Sequence, residues 1–209
     1  MNGTRSEAQW RLYLAEYSVE VLESADENAN LEISDQQRAN RWLGFDGADA
    51  DRLAELERHL GAGLPPSYRA FLAVSDGWLH LGPFLWIMRT TGEVGWVRDT
   101  DQRLHKILQR EQDGSTELAN RALLISKEGD AQYWVLDSGD VSADGERAAY
   151  SWASWYPGLS DRFESFAALV DHERASAKNL KRHDEPSSMK PKRATEKSLS
   201  ERAAWGWTS

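Results

Sequence analysis

The chain has 209 residues, of which 40% are hydrophobic and 28% charged, with a formal net charge of −9 at pH 7 and no cysteine. The absence of cysteine excludes disulfides, thiolate metal sites and a cysteine nucleophile. The acidic balance argues against nucleic acid as the main ligand of the folded body, because phosphate groups repel negative charge.

The beginning of the chain and the hydropathy pattern predict the compartment. The first ten residues contain no apolar stretch typical of a secretory signal. No apolar run reaches the length of about 18 residues that a membrane-spanning helix needs. Because the chain also lacks cysteine, we expect a cytoplasmic protein with no membrane partner.

Charge is unevenly distributed along the chain. Residues 178–202 hold eight Lys or Arg and four acids, so this segment carries +4 and the rest of the chain carries −13. An acidic body suits a basic protein partner, because complementary charge speeds the encounter of two proteins. The same charge could equally serve solubility alone.

The first third of the chain is predicted to be helical. Residues 6–24 form a helix in which apolar side chains recur at helical spacing. A second, short helix is predicted at residues 35–42, and Asp49 or Asp51 can cap the helix that follows.

Residues 53–78 predict two short amphipathic helices joined by a tight connection. Leucines at i, i+3 and i+7 give the first helix one apolar face, and Gly61 can end it in the left-handed conformation. The prolines at 65–66 favour the start of the second helix, and the Asp-Gly pair at 76–77 stops it.

The pattern then changes from helical to extended. A helix is predicted at residues 99–112 and a final helix at 161–177. The predicted strands lie at residues 84–88, 94–97, 122–126, 132–137 and 147–155. The third and fourth form the clearest hairpin. Helices followed by strands and then a helix indicate an α+β fold with a largely antiparallel sheet.

The pattern also predicts the domain organisation. We expect one domain over residues 1–177 with its core at 40–175. Residues 178–209 are polar and rich in Pro, Ser and Lys, so they are predicted to form a flexible tail. The partner of this tail is unknown: its terminal Trp205 and Trp207 could belong to a tether, to a recognised peptide or to an inert extension.

No motif for catalysis or cofactor binding is present. The five histidines include no pair at i, i+4, and the chain contains no HExxH, phosphate-binding loop or nucleophile elbow. The acidic loop 137–146 lacks the alternate ligand spacing of a calcium loop. We therefore expect no enzyme, cofactor or metal site, although a triad that meets only in space stays open.

The order of residues in the helical pair resembles the signature of the SUKH superfamily, which groups fungal cell-wall-synthesis regulators with bacterial immunity proteins. The matching positions are Leu64, Pro65, Tyr68, Phe71 and Gly77, together with Leu60-Gly61, Leu72 and Trp78. Residues 41–45, 125–137 and 153–158 are also similar, so the resemblance covers about residues 10–175. Of these, Leu64, Pro65, Tyr68, Phe71 and Gly77 specify the fold rather than a contact.

The resemblance implies a mixed sheet with helices packed against it, and a binding module rather than a catalyst. Bacterial members of the superfamily resemble immunity proteins that bind and block a cognate toxin, often a nuclease. The partner implied is therefore a toxin domain with a basic surface. The alternative is a regulatory or scaffold protein of the cell-wall-regulator type that uses the tail as a tether.

Electrostatic complementarity to such a partner indicates the candidate contacts. Trp78, interpreted as exposed, is a candidate anchor. The acidic candidates lie in two loop regions and are Asp99, Asp101, Asp137, Asp140, Asp144 and Glu146.

Overall fold

The computed structural model describes residues 4–24, 33–110, 115–127, 129–130, 132–155, 159 and 162–184. Within these residues there are eight helices and six strands. The helices are α1 (Glu7–Ser24), α2 (Asp35–Asn40), α3 (Ala50–Leu60), α4 (Pro66–Val74), α5 (Val97–Thr100), α6 (Gln102–Leu108), α7 (Ser115–Arg121) and α8 (Phe166–Asp184). The strands are β1 (Trp78–Leu79), β2 (Ile87–Met88), β3 (Gly95–Trp96), β4 (Ala122–Leu124), β5 (Gln132–Val141) and β6 (Arg147–Ala153).

The strands form two antiparallel sheets. β1 pairs with β2, and the larger sheet has the order β3-β4-β5-β6. The predicted hairpin is β4-β5, in which Leu123 lies opposite Leu136. The α+β prediction is therefore confirmed.

Both faces of the larger sheet are covered. Along β5, Trp134 and Leu136 belong to the main core, whereas Tyr133 and Val135 belong to a second apolar cluster. This alternation follows from the two-residue period of a strand. The main core includes side chains of α1, α3, α4 and α8, and the second cluster includes side chains of α5, α6 and α7.

The helical pair at residues 53–78 forms as its sequence predicts. The Asp49 carboxylate accepts a hydrogen bond from the Arg52 backbone N–H at 2.9 Å and caps α3. Gly61 ends α3 with φ 65°, in the left-handed region. Pro66 occupies the first turn of α4, where a missing N–H costs nothing.

An aromatic cluster joins three helices at the centre of the main core. The rings of Trp10 (α1), Phe71 (α4) and Phe166 (α8) lie with centroids 5.1–5.6 Å apart. Tyr68 lies 5.0 Å from Phe166 in an edge-to-face arrangement, the geometry that aromatic pairs favour. The Trp10 indole N–H donates to the Ser67 carbonyl at 2.8 Å, so the buried polar atom of this tryptophan is satisfied.

Glu146 caps α4 from the sheet. Its carboxylate is buried and accepts hydrogen bonds from the Ser67 backbone N–H and hydroxyl, both at 2.7 Å. The Thr4 hydroxyl adds a third at 3.2 Å. A negative group at a helix N-terminus also interacts favourably with the helix dipole. The loop before β6 is thereby fixed to the helical pair.

Several predicted boundaries are wrong. The helix predicted at 99–112 is divided into α5 and α6, because Asp101 interrupts it and caps α6. The last helix begins at Phe166, where the Ser165 hydroxyl accepts from the Ala168 N–H. It continues to Asp184, so residues 178–184 of the predicted tail are helical. The rest of the predicted tail, including Trp205 and Trp207, lies outside the described residues.

Other elements also differ from the prediction. The strand predicted at 84–88 is reduced to Ile87–Met88, because the chain before it forms a bend. The second helix ends at Asn40, where Arg41 adopts a left-handed conformation. Nothing in the sequence analysis predicted α7.

Replacing Glu146 by alanine is expected to lower the free energy of unfolding by about 2–3 kcal/mol, because it leaves the donors of Ser67 buried without a charged acceptor. Chemical denaturation measures this change. The matched control is Asp144→Ala in the same loop, where the carboxylate is exposed and its loss is expected to lower stability much less. Equal effects of the two substitutions would contradict the capping role.

Candidate functional site

Asp137 is not available to a partner. It is 3% exposed, and both of its oxygens receive hydrogen bonds from the Arg121 guanidinium at 2.6 and 2.9 Å. The Gly139 N–H also donates to it at 2.7 Å. Its carboxylate therefore fixes the end of α7 to β5. Glu146 is also buried, and its carboxylate fixes the loop before β6 to α4. The prediction that these two acids are surface contacts is wrong.

Asp140 and Asp144 lie closer to the surface. The Arg162 guanidinium donates two hydrogen bonds to Asp140 at 2.5 and 2.7 Å, and this pairing lowers the pKa of Asp140 below its ordinary value. Asp144 is exposed and accepts a hydrogen bond from the Ser142 hydroxyl, which lowers its pKa. Asp144 thus remains accessible, whereas Asp140 already has a cationic neighbour.

The second predicted acidic region, around Asp99 and Asp101, also contains one engaged and one accessible carboxylate. Asp101 accepts from the Leu104 N–H at 2.8 Å and caps α6. Asp99 has 65% of its side chain exposed and lies 3.5 Å from the Arg98 guanidinium. Of the six predicted acids, Asp99 and Asp144 are the two that are fully on the surface.

Trp78 is buried in the core. It is 0% exposed and packs edge-on against Trp42 with ring centroids 4.8 Å apart. Gly44 lies directly beside it, since a Cβ there would come within 2.5 Å of the indole. The prediction of an exposed tryptophan anchor at this position is therefore wrong.

The exposed aromatic side chains lie elsewhere. Trp86 is 51% and Trp155 is 56% exposed. Half-buried Phe84 contacts Trp155 with ring centroids 5.4 Å apart, and the Trp155 indole N–H donates to the Asp130 carbonyl at 3.1 Å. In the sequence, Leu85 separates Phe84 from Trp86. The structure buries Leu85 fully, and the aromatic rings on either side of it are more exposed.

A cavity of about 240 Å³ opens beside Trp155. It lies between the strands β5 and β6, the helix α8 and the loop before β2. We call it the β5–α8 cavity. Its lining residues are Pro83, Phe84, Gln132, Ser151, Ala153, Trp155, Phe163, His172, Glu173 and Ser176.

Glu173 is the most unusual residue of this cavity. It is 6% exposed, and burial raises the pKa of its carboxyl to about 7. His172 and Arg174 flank it on α8, and Tyr17 of α1 is close enough to interact with it electrostatically. The neighbouring strands contribute the uncharged residues Gln132, Ser151 and Ala153.

Sequence reasoning did not identify Glu173, although a signal existed. The positions 166, 169, 170 and 173 share one helical face by the i, i+3, i+4, i+7 rule. The first three are apolar and buried. An acid at the fourth position of a buried face therefore marks a carboxylate that points into the protein.

The Ser176–His172 pair of this cavity is wider than a hydrogen-bonded nucleophile and base. The Ser176 hydroxyl lies 3.5 Å from His172 Nε2, beyond the usual distance of about 2.6–3.2 Å between nucleophile and base. Both residues belong to the same helix, one turn apart. No group of three or more acids and histidines that could hold a metal occurs in the part of the chain that the structure describes.

Two wider grooves are also present. One, of about 700 Å³, is lined by Trp42, Phe45, Arg52 and Asp76 among others, and a second, of about 410 Å³, includes His59. Asp76 is buried but fully engaged, because Thr91 donates to it through its N–H and its hydroxyl and Arg52 lies 3.1 Å away. These grooves therefore lack the unsatisfied acceptor of the β5–α8 cavity.

The family of the chain follows from a comparison with known families. A model of the SMI1 / KNR4 family (SUKH-1) matches residues 47–172, more than half of the chain. The chain therefore belongs to the SMI1 / KNR4 family, and the resemblance to SUKH proteins is confirmed. The matched segment contains the helical pair and the larger sheet and ends one residue before Glu173. A search of curated proteins found no match.

None of the described helices is both long and apolar enough to cross a membrane. The family match and the fold together make the chain a SUKH-domain protein with an α+β fold. The family is one of binding and immunity modules.

Replacing Glu173 by glutamine is expected to stabilise the fold at high pH only. The unfolded carboxyl ionises near pH 4.5 and the folded one near 7, so between these values the unfolded state loses a proton that the folded state keeps. Wild-type stability therefore falls as pH rises through this range. We expect the variant to gain about 2–3 kcal/mol at about pH 8.5 and nothing at about pH 4.

Denaturant titrations at the two pH values measure this difference. Glu164→Gln removes the same charge from an exposed position just before α8 and serves as the matched control. A gain of equal size at both pH values would show that Glu173 is not held in a raised-pKa environment.

Proposed function

We propose that the chain is a non-enzymatic protein-binding module of the immunity type, which neutralises a cognate bacterial toxin by direct binding in the cytoplasm. The observation that carries this proposal is the family match over residues 47–172. The domain that binds is residues 1–177, extended by the end of α8. The toxin is proposed to have a basic surface, as nucleases that grip nucleic acid do.

The charge distribution supports this proposal. The chain outside residues 178–202 carries −13, and surface charge of one sign accelerates association with a partner of the opposite sign. Asp99 and Asp144 belong to this exposed acidic charge. Because most of the other predicted acids are engaged in internal ion pairs and caps, we assign the acidic charge to steering rather than to the tightest contacts.

The exposed aromatic residues supply the second support. Tryptophan is enriched among the residues that dominate the energy of protein interfaces, and Trp86 and Trp155 are each more than half exposed. Trp155 contacts the Phe84 ring, and Trp86 follows Phe84 by two residues in the sequence. We propose that these three aromatic residues form the centre of the contact surface.

The alternative function is a regulatory or scaffold protein that uses the tail as a tether. The basic charge of residues 178–202 favours it, because this segment differs in sign from the rest of the chain. Removal of residues 185–209 distinguishes the two functions. An immunity module keeps its protective activity without them, whereas a tethered scaffold loses its activity.

The proposed function predicts protection of cells. Expression of the chain together with a toxin domain encoded beside its gene is expected to restore growth, and the two proteins are expected to copurify. Trp155→Ala is expected to weaken binding at least tenfold, roughly the loss of a central interface residue. The control is Leu12→Ala, a 69% exposed apolar residue of α1. If the two proteins do not copurify and the cells are not protected, the proposal is contradicted.

A further inference from the structure

Two acceptor side chains line the β5–α8 cavity without a hydrogen-bond partner among the described residues. Gln132 is 4% exposed, and its Oε1 receives no hydrogen bond in the described structure. Glu173 is 6% exposed, and among the described residues no donor or cation pairs with its carboxylate, whose perturbation comes from desolvation alone. Both side chains line the same cavity.

Leaving these two acceptors unpaired costs free energy. The kind of group that would remove this penalty indicates what occupies the cavity. Nearly all buried polar groups in folded proteins have a hydrogen-bond partner, and an unpaired buried carboxylate is more expensive than a neutral group. Glu173 and Gln132 both accept, so a component that supplies N–H donors suits the cavity. It must also carry positive charge to compensate an ionised Glu173.

The walls of the cavity favour the same kind of component. Phe84, Trp155 and Phe163 contribute aromatic rings to the lining, and aromatic rings attract cations. A guanidinium group suits the site better than an ammonium group. It stacks on aromatic rings and can donate two parallel hydrogen bonds to a carboxylate.

The volume limits the size of the occupant. At about 240 Å³ the cavity is smaller than the roughly 300–1,000 Å³ typical of sites for small-molecule ligands. It is open to solvent beside the exposed Trp155, so a side chain from another molecule can enter it. One long side chain therefore fits the dimensions better than a metabolite.

We propose that the β5–α8 cavity receives one basic side chain of the partner protein, arginine in preference to lysine, with Glu173 as its counter-ion. The assignment of the occupant to a protein rests on the proposed function. The chemistry of the cavity does not depend on that function. The exposed rim at Trp155 is then both part of the contact surface and the entrance to the cavity.

Binding of single amino-acid probes to the full-length chain tests this proposal. The probes are Nα-acetyl-arginine amide, the corresponding lysine compound and the norleucine compound, which has similar length and no charge. Titration is followed by NMR through the Trp155 indole N–H. The arginine probe is expected to bind at least about tenfold more tightly than the norleucine probe, the difference made by a charge-assisted hydrogen bond.

Variants of the chain locate the binding. Glu173→Gln preserves the shape of the side chain and is expected to weaken arginine binding about tenfold, whereas Glu164→Gln, which removes an exposed charge outside the cavity, leaves it unchanged. Trp155→Leu is also expected to weaken it. Equal binding of the arginine and norleucine probes, or arginine binding that Glu173→Gln does not change, would overturn the proposal.

Failure of this proposal is distinguishable from failure of the proposed function. If no probe binds but cells are protected from the toxin, the cavity chemistry is wrong and the immunity function stands. If the arginine probe binds through Glu173 but the Glu173→Gln variant associates with the toxin as tightly as wild type does, the cavity is not where the partner inserts.

Discussion

The edge-to-face contact of Phe71 and Phe166 within the aromatic cluster is the interaction on which the rest of the structure depends. Phe71 belongs to α4 and Phe166 opens α8, and Trp10 of α1 packs against both rings. Three helices that are distant in the sequence therefore share one packed centre. Aromatic rings bury large apolar areas, so this centre fixes the direction of α8 across the sheet.

The direction of α8 in turn creates the cavity. Because Phe166, Leu169 and Val170 are buried, Glu173 on the same helical face is drawn inward toward β5 and β6. Its carboxylate lines the same cavity as Gln132 and three aromatic rings, and no cation of the described residues pairs with it. A protein that needed only stability would place an apolar residue here, and the retained acid agrees with an occupant supplied from outside.

The sequence predicted the helical half of the fold well and the site poorly. Helix α1, the cap at Asp49 and the left-handed end at Gly61 follow from local rules that act within a few residues. The burial of Trp78 and Glu146 does not, because it depends on Gly44 and Ser67, which approach them only after folding. Composition showed that the chain is acidic, but it could not show which carboxylates already have partners.

The most direct test is the pKa of the Glu173 carboxyl, measured by ¹³C NMR in the free protein and in the presence of the arginine probe. We expect a pKa of about 7 in the free protein and a clear decrease when a guanidinium group occupies the cavity. A pKa near 4.5 in the free protein, or a raised pKa that the probe does not lower, would contradict it.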